Sequence, residues 1–183
     1  MKTDYLSKLK KGAVLISADL LEDPHFSSTL VLVCHHDSEG SYGLVLNRVA
    51  HIPLGEIFDV GQPWQSQTRV VNLGGPVAQT EVQIVHITDN PVPQAIQIGQ
   101  GVYLGGVWED MQTILENQAP QLRLFLGYAG WAGGQLEEEI KQGAWEVYQV
   151  PLAQFLFTLP EPWSNGVSDL RLKLSSDQME KES

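Results

Sequence analysis

Between Gln121 and Gln142 the chain reads QLRLFLGYAGWAGGQLEEEIKQ, and no other stretch restricts the fold as much. Leu122, Leu124, Phe125 and Leu126 form the short apolar run of a buried strand. Four glycines then fall between Gly127 and Gly134, with Tyr128 and Trp131 set among them. Glycine admits positive φ and close backbone approach, so the stretch predicts a sharp strand-to-helix connection. The helix follows over Gln135 to Gln142, with Glu137, Glu138 and Glu139 near its positive N-terminal end. Such a connection can offer backbone amides to a ligand, or it can simply be a tight corner. Three carboxylates beside those amides would repel an anion, and both readings stay open.

The length of 183 residues and a hydrophobic content of 43% suffice for one packed domain. The expected layout is a basic arm over 1–11, a single domain over 12–174 and a polar, disordered tail over 175–183. No apolar run approaches the roughly 20 residues that span a bilayer. The start, MKTDYLSKLKK, is basic but lacks the hydrophobic block of a signal peptide. One cysteine, Cys34, excludes an internal disulfide framework and suits a reducing compartment. These features together predict a soluble cytoplasmic protein.

Charge narrows the function classes. The formal net charge is −11, and between Gly12 and Ile140 the only cations are Arg48, Arg69 and Arg123. Nucleic-acid affinity rests on phosphate neutralisation by Lys and Arg, so direct DNA or RNA binding by this acidic body is disfavoured. The lysine-rich arm could still touch DNA or an acidic partner, and reads first as a solvated tail.

Taken in order, strands are expected at 12–18 and 29–36, then at 42–48 after a hairpin turn in DSEGS. A short helix is expected from Pro53 to Phe58, and a strand over 68–73 ends at Gly74-Gly75-Pro76. Alternation over 81–87 suggests a sheet edge or half-exposed strand, and 96–104 holds short extended pieces broken near Gly99 to Gly101. A helix over 108–117 precedes the central strand. After the central helix come a strand at 145–150, a short helix at 151–157 and a last helix over 162–174. Hairpins early and helices later favour α+β with a mixed sheet over a doubly wound fold.

Four blocks then bear comparison together: LVCHH (32–36), YGLVLNR (42–48), LGGPV (73–77) and LGYAGWAGGQLEEEI (126–140). In this order and spacing the chain resembles the AlgH/YqgE family of small bacterial proteins, over nearly its whole length from Gly12 to about Leu172. The resemblance implies an α+β fold whose bent, bifurcated sheet forms a pseudo-barrel flanked by helices. The family has no established activity, and a role in transcriptional regulation has been attached to it. Two positions depart from the family pattern: Cys34-His35-His36 stands where Cys-Glu-His is usual, and Asn47-Arg48-Val49 where Asn-Arg-Pro is usual. Carried over by block, the positions of interest are Asn47, Arg48, Gly74, Gly75, Pro76, Tyr128, Trp131, Gln135 and Glu137. The glycines and the proline among them shape turns before they bind anything.

The residues also suggest chemistry directly. Cys34 and His36, two apart on a strand, should share a face with His35 opposite, and a nearby imidazole could activate the thiol. This makes them the candidates for a thiol-based enzyme or redox sensor, against the commoner buried, inert cysteine. His25, His51 and His86 lack ligand spacing, so neither a metal site nor a cofactor is expected. Arg48 at a strand end could fork onto a ligand's carboxylate or phosphate, or pair internally with an acid such as Glu137. Tyr128 and Trp131 could line a pocket or fill the core. No GxGxxG, GxxxxGK[ST] or GxSxG element is present. The reading that results is a non-enzymatic binding or regulatory protein. A glycine-lined cleft near the 127–137 turn and Asn47-Arg48 would take a small acidic molecule or a protein segment.

Overall fold

The computed structural model describes residues 4–18, 29–50, 70–107, 109–111, 121–159 and 167–182. Expectations for 19–28, for Pro53 to Phe58, for Thr68 and Arg69 and for most of 108–117 lie outside these residues, as do His25 and His51.

The strands follow the apolar runs. β1 (Val14–Ser17), β2 (Leu30–Asp37) and β3 (Gly40–Val45) form an antiparallel meander, with Ser38 and Glu39 turning the expected hairpin. Asp37 explains the tight turn: its Oδ1 accepts from the amides of Glu39 at 2.8 Å and Gly40 at 3.1 Å, a local turn-stabilising arrangement. β4 (Val49–Ala50) and β5 (Val71–Leu73) form a short side ladder. β6 (Val77–Ile87), β7 (Ile96–Gly99) and β8 (Val102–Leu104) precede the long β9 (Leu122–Ala132). α1 (Gln135–Lys141), β10 (Trp145–Tyr148), α2 (Leu152–Thr158) and α3 (Ser168–Glu182) complete the order.

These ten strands make one sheet in the order β10-β1-β2-β3-β9-β6-β8-β7, with β4 and β5 off the path. Its ladders are antiparallel except β5 with β9. The sheet is open, ending at β10 and β7, and the class is α+β as expected. It curls far enough that a Cβ on Gly12, just before β1, would lie 2.8 Å from the Ile98 carbonyl on β7.

The main correction concerns the glycine-rich stretch. GYAGWA is not the connection between strand and helix; it continues β9 to Ala132, and only Gly133-Gly134 turn the chain. Positive φ at Gly127 (73°) resets the side-chain alternation instead of ending the strand. Before it, Leu122, Leu124 and Leu126 belong to one apolar cluster; after it, Ala129 and Trp131 belong to another. The edge of β9 is also shared. β5 pairs with Val71 to Leu73 against Leu124 to Leu126, and β3 takes over from Ala129 to Ala132. Gly74 bridges the fork, donating to the Leu126 carbonyl at 2.7 Å and accepting from Val45 at 2.9 Å.

Burial explains why the helices sit where they do. On one face, Ile16, Leu32, Cys34, Leu44 and Phe125 pack under Leu152, Phe155 and Leu156 of α2 and Leu174 of α3. On the other, Leu15, Val33, Trp131 and Trp145 pack under Leu136 and Ile140 of α1. A helix of α1's length is marginal alone, so the burial of that i, i+4 pair is what holds it, at about 1.5–3 kcal/mol per side chain. Arg123, also buried, donates to the Leu156 and Leu159 carbonyls at 2.7 and 2.8 Å and so finishes the end of α2.

Both termini differ from expectation. In the N-terminal arm, Leu6–Lys8 form a turn of 3₁₀ helix, and Tyr5 and Leu9 pack against the cluster beneath α1. At the other end, α3 runs through the polar segment after Leu174, which was expected to be disordered. Glu, Gln, Met and Lys favour helix even where little is buried. On its first half, Arg171 reaches Glu146 at 2.8 Å and donates to the Ser17 carbonyl, and Tyr148 meets Ser175 at 3.0 Å. No helix among the described residues is long and apolar enough to cross a membrane.

β6 differs too, because β9 takes one of its edges and β8 the other at Val85 to Ile87, so its second half is interior. His86 lies there, 3% exposed, with Nε2 on the Gly105 carbonyl at 2.9 Å and Nδ1 buried without a partner. Burial lowers its pKa below the ordinary value, and the Gly105 contact offsets this in part. A base whose folded pKa is depressed stabilises the fold fully above its unfolded pKa, and loses that contribution as pH falls. Urea unfolding should therefore show stability dropping as pH falls from about 6.5. In His86→Gln that part of the slope should be missing, and an unchanged slope would refute this account.

Candidate functional site

The geometry around Cys34 overturns the proposed thiol pair. β2 and β3 pair as Val33 with Gly43 and then His35 with Tyr42, which leaves Cys34 as the extra residue of a β-bulge. A bulge shifts the two-residue period, so the rule that places Cys34 and His36 on one face fails here. Cys34 packs in the core under α2, 1% exposed, and burial pushes its thiol far above the ordinary value. His36 pairs instead with Ser41, its Nδ1 2.7 Å from the Ser41 hydroxyl, in the row that continues to Trp131. A buried thiol with little thiolate character is poorly suited to act as nucleophile or sensor. In native protein, Cys34 should resist iodoacetamide from pH 6 to 9 and react only in denaturant. A native rate that rises with a midpoint below pH 8 would contradict this placement.

The same bulge brings His35 toward Tyr42, with ring centres 6.3 Å apart and planes at 21°. Tyr42 in turn meets the Tyr128 ring edge-on at 5.7 Å and 72°. Cross-strand pairing extends the row from Tyr42 to Gly130 on β9. A Cβ at Gly130 would meet only the Tyr128 ring, at 3.6 Å, so this position is bare. The result is an open groove of about 670 Å³ walled by His35, Asp37, Tyr42, Tyr128, Val77 and Gln83.

Its polar end is tied by hydrogen bonds. Asp37 Oδ2 lies 2.9 Å from His35 Nε2, while Oδ1 holds the hairpin amides. Those amide bonds, chiefly from Glu39, and then His35 keep the Asp37 carboxyl below its usual range, so it stays charged. Glu39 stands exposed beside it in the turn. Tyr42 is pushed the other way, to about 12, first by burial and then by neighbouring Cys34 and Tyr128. It is therefore a neutral ring and hydroxyl, not a phenolate.

The other sequence candidates divide among separate places. Asn47 is fully buried and its Oδ1 accepts from the Leu30 amide at 3.0 Å, closing the backbone where β3 ends. Arg48 donates to the Asn47 carbonyl and the Thr29 hydroxyl, both at 3.2 Å, and burial lowers its pKa. Glu137 is not among its described partners. Gly74 and Gly75 carry the backbone across β9, with Pro76 following in the bend before β6. Trp131 is 7% exposed and packs edge-on against Trp145 at 6.1 Å and 80°. Gln135 is exposed and its side chain accepts from the Ala132 amide at 2.9 Å, while Glu137 sits half-buried in the first turn of α1. Of these, Tyr128 and Trp131 border the groove, Trp131 from within the core, and Asn47-Arg48 lie at the opposite end of β3.

Asp37, Tyr42, Gln83 and Gly130 are groove residues that the sequence reading did not single out. A signal existed for Asp37 and Tyr42, since an acidic residue opening a two-residue hairpin fixes which neighbours face each other. Gln83 and Gly130 gave none, because their approach depends on β6 and β3 flanking the same strand.

Comparisons with known proteins agree with this fold. A family model described as AlgH-like matches residues 14–175. A UPF0301 protein of Chlorobaculum tepidum is 31% identical over 173 residues, covering 90% of this chain and 89% of the relative. A UPF0301 protein of Xylella fastidiosa is 35% identical over 169 residues, covering 88% and 89%. The solution structure of the AlgH protein from Pseudomonas aeruginosa superposes with a TM-score of 0.71 at 28% identity, covering 87% of this chain and 85% of that one. A crystal structure of a Corynebacterium diphtheriae protein, with a TM-score of 0.65 at 22% identity over 87% and 84% of the two chains, shares the fold.

Proposed function

The chain belongs to the AlgH-like family, and on that premise we propose that it is a non-catalytic binding protein whose groove takes a segment of a partner protein. One observation carries this reading. Tyr42 and Tyr128 stand half-buried in edge-on contact beside the bare Gly130, next to a hydrogen-bonded carboxylate and with no activated nucleophile among the described residues. Aromatic rings give large contact area at small entropic cost, and they are enriched in recognition surfaces. An open groove along a strand suits an extended segment better than an enclosed metabolite.

The net charge of −11 supports action through proteins and not through direct contact with DNA. A regulatory role on transcription, exerted in the cytoplasm through such a partner, is part of the proposal. So is the reading of the curled sheet as a pseudo-barrel, supported by the approach of Gly12 to Ile98.

Gly130→Gln tests the site, because the new side chain has room at its base and would fill the groove. Peptides selected by display on the wild-type protein should lose at least tenfold in affinity for Gly130→Gln while its melting temperature is kept. Selected peptides that bind both proteins equally would place recognition elsewhere and end this reading.

A further inference from the structure

We propose that the group received by the groove is a cation, an arginine side chain carried by a basic partner segment. This rests on the groove being a binding site and names what it binds. Three features converge on the same space. Asp37 is anchored through both carboxylate oxygens, and Glu39 adds a second, exposed carboxylate in the adjoining turn. The basic side chain on the groove is His35, already occupied with Asp37. An anionic ligand would meet two carboxylates at this end, whereas a guanidinium would gain charge-assisted hydrogen bonds there.

The rings supply the second feature. A cation within about 6 Å of an aromatic face gains roughly 0.5–2 kcal/mol, and Arg does this more often than Lys because its planar head also stacks. Tyr42 is held neutral by its surroundings and its ring, with that of Tyr128, flanks the open position. The third feature is Gly130, whose missing side chain leaves a slot beside the Tyr128 ring where a flat group can lie. Val77, 39% exposed, offers apolar surface to the arginine stem. The field of a chain with net charge −11 would also draw in a basic segment. The described part of the chain's own basic arm, from Asp4 to Lys11, has Tyr5 and Leu9 packed on the cluster beneath α1.

The test is an amide-resolved NMR titration of the full-length protein with acetyl-Gly-Arg-Gly-Arg-Gly-amide. Matched peptides carry Lys, citrulline or Glu in place of Arg. The Arg peptide should shift the amides of Asp37, Glu39 and Gly130 saturably, with Lys at least threefold weaker and citrulline and Glu without effect. Asp37→Asn should weaken the Arg peptide at least tenfold, and Gly130→Gln should abolish the shifts. Glu138→Gln, an exposed carboxylate on α1, should change nothing. Equal binding to wild type and Asp37→Asn, or shifts spread over all acidic surfaces, would overturn the cation assignment. If citrulline or Glu peptides bound as well and Gly130→Gln still blocked them, the cation would be wrong and the groove right. Binding indifferent to Gly130→Gln would remove both.

Discussion

Gly75→Ala is expected to cost at least about 3 kcal/mol and to leave little folded protein. Gly75 sits at φ +155°, and a Cβ there would fall on the backbone of Tyr128 and Ala129. Neither side can give way. Beside the contact, Tyr128 pairs with Val77 of β6 and Ala129 with Gly43 of β3, so the obstructing atoms belong to the most connected strand of the sheet. Gly134→Ala supplies the comparison, since Gly134 has φ +79° but nothing within 4 Å of its would-be Cβ. It should show only the conformational penalty of a left-handed residue, about 1–2 kcal/mol. Urea unfolding of both variants checks the pair. Equal, small losses would mean that the Gly74-Gly75 crossing is looser than described.

Trp131→Ala should lose about 3–5 kcal/mol of stability, the range for deleting a buried indole. Trp131 packs edge-on against Trp145 and lies in the cluster that α1 covers with Leu136 and Ile140. Without it α1 loses part of the surface it rests on, so amide exchange in Gln135–Lys141 should accelerate. Groove binding by the molecules that remain folded should be largely retained, because the rings proposed for recognition are Tyr42 and Tyr128 and Trp131 borders the groove from within the core. A Trp131→Ala protein of near wild-type stability that had lost peptide binding would make Trp131 a contact residue and contradict its placement in the core.

Much of the fold was legible in the sequence. The apolar runs around Val14, Leu30 and Leu122, the hairpin at Asp37 to Gly40 and the helices around Leu136 and Phe155 all stand near the expected places. These depend on local periodicity and turn chemistry, which act between neighbours in the chain. The four motif blocks carry the resemblance to the AlgH-like family without reference to geometry.

The site was legible only in fragments. Tyr128 and Trp131, which border the groove, stand out in the sequence, but together with Asn47 and Arg48, which serve the far end of β3, and not with Tyr42 and Asp37. The thiol pair failed for a related reason. Its logic assumed an unbroken two-residue period, and one extra residue at Cys34 separates the faces of Cys34 and His36.

The sequence by itself determined most of the strands, a hairpin turn within DSEGS, the net acidic charge and the need for glycine at the turns. Tertiary structure alone decided that GYAGWA is strand rather than turn, and that its glycines serve different partners. Gly127 and Gly130 differ by three positions, yet one admits the crossing loop and the other floors a groove. What separates them is which strands lie alongside, and strand pairing between distant segments is set by the burial of the whole sheet, not by any local pattern.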